Sequence, residues 1–414
     1  MQNKILWMLA IILGLLLIYG LLWLLDTARQ QARLRVTGFN SHFTIDPAAS
    51  FATYVSETAN SIKLARTKAG TDTSLPTIAA NSPRMLFPDE KACPKPADGK
   101  YKNGIVFLHG LLDSPYTLDV LGKFFQKKCF VVYTVLLTGH GTVPGDLLDV
   151  QSDDWEALTH FATAKISEQV NNIYLMGYSL GGLLAVNEAL KNPDRYKALI
   201  LFGPCLTLKT RYQNLVPLLY ALSYIIPQLK WVEIHKDNIQ VRYESFPANA
   251  VYQIYKILTK VNGKLATQTL QLPIFLEQSA DDMTVNAEAN REFFNSNSNK
   301  LSKLLWYTKT ASTSDTRIQE IAGAVPDLKI LDISHLAYLI SADDKIYGLH
   351  GSYKECLHYL PDSPQRQQCE AGDNTYLGEI TPQNLAAHVI QRLTFNPFQP
   401  ELFAELSAFI TALD

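Results

Sequence analysis

A serine hydroxyl is too weakly acidic to attack a carbonyl at neutral pH. It needs a base within hydrogen-bond reach, a group that orients the base, and donors for the oxyanion that forms. One serine in this chain stands where such chemistry could be built. Gly177-Tyr178-Ser179-Leu180-Gly181 is a G-x-S-x-G turn. Ile173 to Met176 before it is an apolar run that predicts a buried strand, and Gly182 onward has a helical apolar period. Strand, tight glycine turn and helix together lift the Ser179 hydroxyl above a sheet edge.

The base must reach the same edge. Of the nine histidines, His335 follows the last predicted strand, Leu328 to Ile333, and so would share the sheet edge of Ser179. His109 and His140 lie in earlier loops, where His109 reads as a loop brace. His42, His160, His235, His350, His358 and His388 lack a strand-end position. The orienting acid follows the predicted strand Pro273 to Gln278, where Asp281 and Asp282 compete. Asp282 is preferred because Val285 then packs its loop; Asp332 points to the wrong side of its own strand end. For the oxyanion, the backbone N–H groups of Leu180 and Leu111 are the candidates, the latter in His109-Gly110-Leu111 after the first strand of the body.

The elements that must hold these groups follow from periodicity. From Gly104 to Phe202, buried strands alternate with helices, which predicts a mostly parallel sheet with helices on both faces. Ser152 is placed as the cap of the helix that begins with Asp153 and Asp154. The pattern breaks between 206 and 270. Leu215 to Ile226 and Ala248 to Val261 are apolar helices there, and they read as a cap over the strand ends, where open α/β sheets bind ligands. The divisions are 1–26, 27–100 as a lead-in, 101–205 with 271–414 as the core, and 206–270 as the cap. Ala48 to Thr67 is helical, Lys68 to Gly99 reads as linker or irregular packing, and Pro400 to Leu413 closes the chain as a helix.

These motifs resemble those of the α/β-hydrolase superfamily, most closely its carboxylesterase, monoacylglycerol lipase and lysophospholipase branch. The matching residues are His109-Gly110-Leu111, Gly139-His140-Gly141-Thr142, Asp154-Trp155, the elbow with Gly182, Asp282 to Val285, and Ser334-His335. The resemblance runs from about 104 to 340. It implies a serine hydrolase with no cofactor, a helical cap, and Leu111 and Leu180 as oxyanion donors. The stretches 308–327 and 341–380 are longer than that pattern. The reading is cleavage of carboxylic esters, of acylglycerol or lysophospholipid type, through an acyl-enzyme. Acyl transfer, amide or peptide cleavage on the same residues, and a non-catalytic binding protein are the rivals.

Composition bounds the setting. The chain has 414 residues, 47% hydrophobic, with a net charge of -2, so no nucleic-acid partner is expected. Ile5 to Leu25 is apolar and long enough to span a bilayer, with Trp7 and Trp23 near its ends. It reads as an uncleaved membrane anchor. The basic residues Arg29, Arg33 and Arg35 favour a cytoplasmic body. The cysteines argue for the periplasm. Cys356 and Cys369 flank a short polar loop, Cys93 and Cys129 could pair similarly, and Cys205 would remain free; the periplasmic side is preferred. A zinc site from His350, Cys356, His358 and Cys369 has no common zinc spacing, so no metal is expected.

Overall fold

A computed structural model describes residues 31–209, 212–310 and 313–414, together with Trp7, Gly14, Leu15 and Gly20. The anchor read from Ile5 to Leu25 lies outside the described residues but for those four. Among the described residues, no helix is long and apolar enough to cross a membrane.

The body is an eight-stranded sheet. Its strands are β1 (Arg84–Leu86), β2 (Tyr101–Leu108), β3 (Phe130–Thr134), β4 (Val170–Tyr178), β5 (Tyr196–Phe202), β6 (Ile274–Ser279), β7 (Lys303–Tyr307) and β8 (Ile318–Ile321). They lie in the order β1-β3-β2-β4-β5-β6-β7-β8. All pairings are parallel except that of β1 with β3. Alternation along the strands feeds two cores. Val106, Leu108, Leu175, Leu199 and Leu201 pack on one face of the sheet; Ile105, Phe107, Tyr174, Met176, Ile200 and Phe202 pack on the other. The central strands are therefore apolar throughout, as a sheet covered on both faces requires. This is the α/β-hydrolase arrangement of a mostly parallel sheet flanked by helices.

Parallel strands end on one edge, so Leu108, Tyr178, Phe202 and Ser279 deliver the loops after them to one place. Between β5 and β6 the chain leaves the sheet. It forms a helix at Val216–Leu222, an antiparallel pair of Trp231–Glu233 with Phe246–Pro247, and a longer helix at Ala248–Leu265.

Four expectations need correction. Leu328 to Ile333 is not a strand. Pro326–Leu328 is a 3-10 turn, and Lys329 has a φ of 53°, which breaks the extended backbone. Ile330 and Ile333 are buried by packing instead. The sheet's last strand is β8, inside the stretch read as a long link. Lys68 to Gly99, read as linker or irregular packing, holds regular elements: Leu75–Asn81 is helical and β1 forms the sheet edge. Ser152 is the first residue of its helix rather than the cap, and Gln151 precedes it without a side-chain cap bond. The segment 341–380 also carries structure, with a helix at Pro364–Ala371 and Tyr376–Gly378 pairing with Ile390–Arg392.

Candidate active site

Ser179 sits between β4 and the helix Leu180–Lys191 with φ 52° and ψ −114°, a conformation that non-glycine residues seldom adopt. The flanking glycines make the turn possible. A Cβ on Gly177 would stand 2.2 Å from Gly181 O, and one on Gly181 would stand 2.0 Å from Leu108 O. The Ser179 N–H donates to Phe202 O at 3.0 Å, which ties the strained residue to the next strand.

The chain brings His335 and Asp282 together although 53 residues separate them. The distance from His335 Nδ1 to Asp282 Oδ2 is 2.7 Å. Asp282 has no exposed surface, yet every side of its carboxylate is served. Oδ1 accepts from the N–H groups of Thr284 and Val285, and Oδ2 also accepts from Gln278 and the Tyr338 hydroxyl. Burial pushes this carboxyl upward. His335 and the backbone donors outweigh that and hold it at about 2. An ionised Asp282 fixes the His335 proton on Nδ1 and leaves Nε2 as an acceptor. Asp281 points elsewhere, 3.4 Å from Lys309 Nζ. Asp332 turns to Lys309, Asn384 and the Glu379 N–H.

Ser179, His335, Leu111 and Leu180 line one cavity of ≈ 520 Å³. Leu180 opens its helix, so its N–H has no acceptor within the helix. Among the described residues, neither the Leu180 nor the Leu111 N–H donates a hydrogen bond. The loop that carries Leu111 is held from two sides. The Leu112 N–H donates to His140 Nε2 at 3.1 Å, and Leu112 O accepts from the Tyr243 N–H at 2.8 Å. These bonds fix Leu112 at a φ of 68°.

Both loop histidines are neutral braces. His109 Nδ1 donates to Gly110 O at 2.8 Å, while Nε2 accepts from the Leu137 N–H at 3.0 Å. His140 Nδ1 faces Thr138 O, so Nε2 is free to accept from Leu112. Burial drives both rings down in pKa, His140 to about 4 and His109 well below its ordinary value. Neither holds a proton to give at neutral pH.

One functional residue escaped the sequence reading. Glu379, fully buried, accepts from the backbone N–H groups of His335 at 3.0 Å and Met283 at 3.3 Å. It pins the histidine loop to the acid loop and is itself paired with Arg392 at 2.7 Å. Nothing local marks it, because its partners lie 44 and 96 residues away. Cys205 also lines the cavity, but burial pushes its thiol up to about 12, so it stays protonated. Among the described residues, no group of three His, Cys, Asp or Glu side chains could hold a metal ion.

Comparison with known proteins places the chain in a family. The model described as serine aminopeptidase, S33 (Hydrolase_4) matches residues 99–311, half of the chain. The chain is similar to a carboxylesterase of Bacillus subtilis (strain 168), 23% identical over 225 residues, which cover 52% of this chain and 87% of that protein. It is also similar to a thermostable monoacylglycerol lipase of Bacillus sp. (strain H-257), 28% identical over 91 residues. That match covers 22% of this chain and 36% of the lipase. A solved structure of LipS and LipT, two metagenome-derived lipolytic enzymes, aligns with 55% of this chain and 88% of its own at 22% identity, with a TM-score of 0.46.

Proposed function

Because the chain belongs to the serine aminopeptidase S33 (Hydrolase_4) family, we propose that this serine ester hydrolase cleaves lipid-like carboxylic esters through Ser179, His335 and Asp282. One observation carries the reading. A serine on a strained elbow and a histidine bonded at 2.7 Å to a saturated buried carboxylate open into the same cavity.

The steps follow from that placement. Ser179 Oγ attacks the ester carbon as its proton passes to His335 Nε2. Asp282 keeps the ring oriented and stabilises the imidazolium. The developing oxyanion lies between the N–H groups of Leu111 and Leu180, each such donor being worth about 3 kcal/mol. His335 then protonates the leaving alcohol. Water, deprotonated by the same ring, releases the acid from Ser179. The test is hydrolysis of p-nitrophenyl octanoate and monooctanoylglycerol by the full chain in detergent. Ser179→Ala should abolish both activities; activity retained by that variant removes Ser179 from its role.

We further infer that Ile5 to Leu25 anchors the protein in a membrane. Two features support this. Leu215, Leu218, Leu219, Tyr224 and Ile225, in the stretch between β5 and β6, are exposed to solvent. Arg33, near the start of the described chain, bonds to that same stretch through His235 O and Asp237. Carbonate extraction should leave the protein in the membrane pellet, and its release would overturn the anchor. The Cys93–Cys129 and Cys356–Cys369 disulfides favour a periplasmic-type compartment for the body. Thiol alkylation of protein from cells, denatured to expose the buried Cys205, should label only that cysteine until a reductant is added, and labelling of all five without reductant would overturn the assignment.

A further inference from the structure

The cavity beside Ser179 has two unlike walls. Leu208, Ile254, Met283, Val285, Leu336 and Leu339 form an apolar side suited to a hydrocarbon chain. The same cavity is lined by a group of polar side chains with bonding capacity left over. Asp113 Oδ2 accepts from the Thr117 hydroxyl, but Asp113 Oδ1 is buried without a partner. Glu244 Oε2 accepts from Asn238, whereas Glu244 Oε1 has none; the Tyr353 hydroxyl beside it gives its one proton to Glu355. The buried Tyr347 hydroxyl is also unpartnered. Among the described residues, the Arg242 guanidinium makes no hydrogen bond, and its nearest acid oxygen, Glu355 Oε2, is 3.5 Å away.

An orphaned buried polar group costs about 1–3 kcal/mol, so this wall is organised for a partner. The partner's chemistry follows from the mixture. An anion would satisfy Arg242 but meet Asp113, Glu244 and Glu355. A cation would satisfy the carboxylates but meet Arg242. Hydroxyl groups both donate and accept, so a neutral polyol serves all of them at once. Burial pushes Glu244 up to about 7 and Asp113 up to about 6, so near neutrality both carboxyls can take part as donors or acceptors.

We propose that the substrate is an acyl ester of a sugar-type polyol, with hydroxyls on Arg242, Asp113, Glu244 and Tyr347 and the acyl chain on the apolar wall. The proposal rests on Ser179 as nucleophile. Water adds across the ester, and the products are the fatty acid and the free polyol. The cavity, ≈ 520 Å³, has the size of sites that take such ligands. Tyr347 and Glu355 come from 341–380, so the segment that departs from the family pattern supplies much of the polar wall, and the Cys356–Cys369 bridge holds it beside the serine.

The experiment compares kcat/KM of the full chain for 6-O-octanoylglucose, methyl octanoate, octanoylcholine and 1-octanoylglycerol 3-phosphate, with p-nitrophenyl octanoate as reference. The glucose ester should exceed the methyl, choline and phosphate esters at least about tenfold, mainly through a lower KM. Tyr347→Phe and Glu244→Gln should each lower the ratio of glucose-ester to p-nitrophenyl-ester kcat/KM by about fivefold or more. Equal rates on the glucose and methyl esters, or a preference for the choline or phosphate ester, would overturn the polyol assignment and leave the nucleophile standing. An unchanged ratio in Tyr347→Phe would do the same. No hydrolysis of p-nitrophenyl octanoate, with no fluorophosphonate labelling of Ser179, would overturn both readings.

Discussion

At the scale of single residues, the site depends on how completely Asp282 is bonded. Five donors surround its two oxygens, His335 among them. Asp282→Asn would put an amide where His335 needs a carboxylate and reverse the tautomer, so kcat should fall on the order of 10⁴-fold with KM little changed. Steady-state kinetics on p-nitrophenyl octanoate measure this; a loss below tenfold would reassign the acid. His140 acts one step removed. Without its Nε2, the Leu112 N–H loses its acceptor and the Leu111 donor shifts. His140→Phe should lower kcat by up to about 10²-fold, with KM for the same ester within a factor of about three. A rise in KM alone would mean that the loop shapes binding rather than the oxyanion site. The positions of Ser179 and Asp282 were legible in local patterns, glycine spacing and a strand-end acid with Val285 behind it, whereas His335 was singled out by a strand before it that the structure replaces with an irregular segment. The acceptor role of His140 and the bridge made by Glu379 were not legible, because hydrogen bonds across a fold leave no local pattern.

At the scale of elements, β2, β4 and β5 were readable because both their faces are buried and their runs are apolar. β8 was not. Its Ile-Gln-Glu-Ile pattern is only half-buried at the sheet edge, and Ile330 and Ile333 imitate a strand while packing as an irregular segment. His335 reaches the site through a 3-10 turn, His335–Ala337, capped by Ser334, rather than from a strand end. β6 carries an unusual passenger in Glu277. Its carboxyl is fully buried, bonded to Tyr307 and Asn396, and pushed by burial up to about 8. The folded state then holds a proton that the unfolded state releases near pH 4.3. More protons bound when folded means that stability falls as pH rises through that window, until the folded group also ionises near 8. Glu277→Gln should therefore flatten the decline, and urea midpoints at pH 5 and pH 8 should lie closer together than in the parent. A variant as pH-sensitive as the parent over that range would contradict the burial argument.

At the scale of the whole molecule, the lead-in braces the site from outside the sheet. Arg66, on the helix Phe51–Ala69, is almost fully buried. Its Nε donates to Gly141 O at 2.9 Å and its Nη2 to Gln240 O at 2.9 Å, so it joins the loop of His140 to the stretch that carries Arg242 and Tyr243. Asp146 adds a second tie, accepting from Thr37 and Thr142. Arg66→Met would leave Gly141 O without its donor and Gln240 O with Asn81 alone, and should cost about 3 kcal/mol of stability in chemical denaturation. A change under about 0.5 kcal/mol would show that the lead-in is dispensable to the body. The polar composition of 68–99 concealed its helix and the edge strand β1, since a segment that wraps a sheet edge needs little apolar patterning of its own.

Catalysis in this molecule turns on the activation of Ser179 by His335 and Asp282, as proposed above. A fluorophosphonate probe, which bonds only to an activated serine hydroxyl, tests it most directly when followed by peptide mass mapping of the parent, Ser179→Ala and Asp282→Asn. The expected result is one adduct on the peptide containing Ser179 in the parent, none in Ser179→Ala, and labelling slowed by orders of magnitude in Asp282→Asn. An adduct on another serine, or equal labelling of the parent and Asp282→Asn, would contradict it.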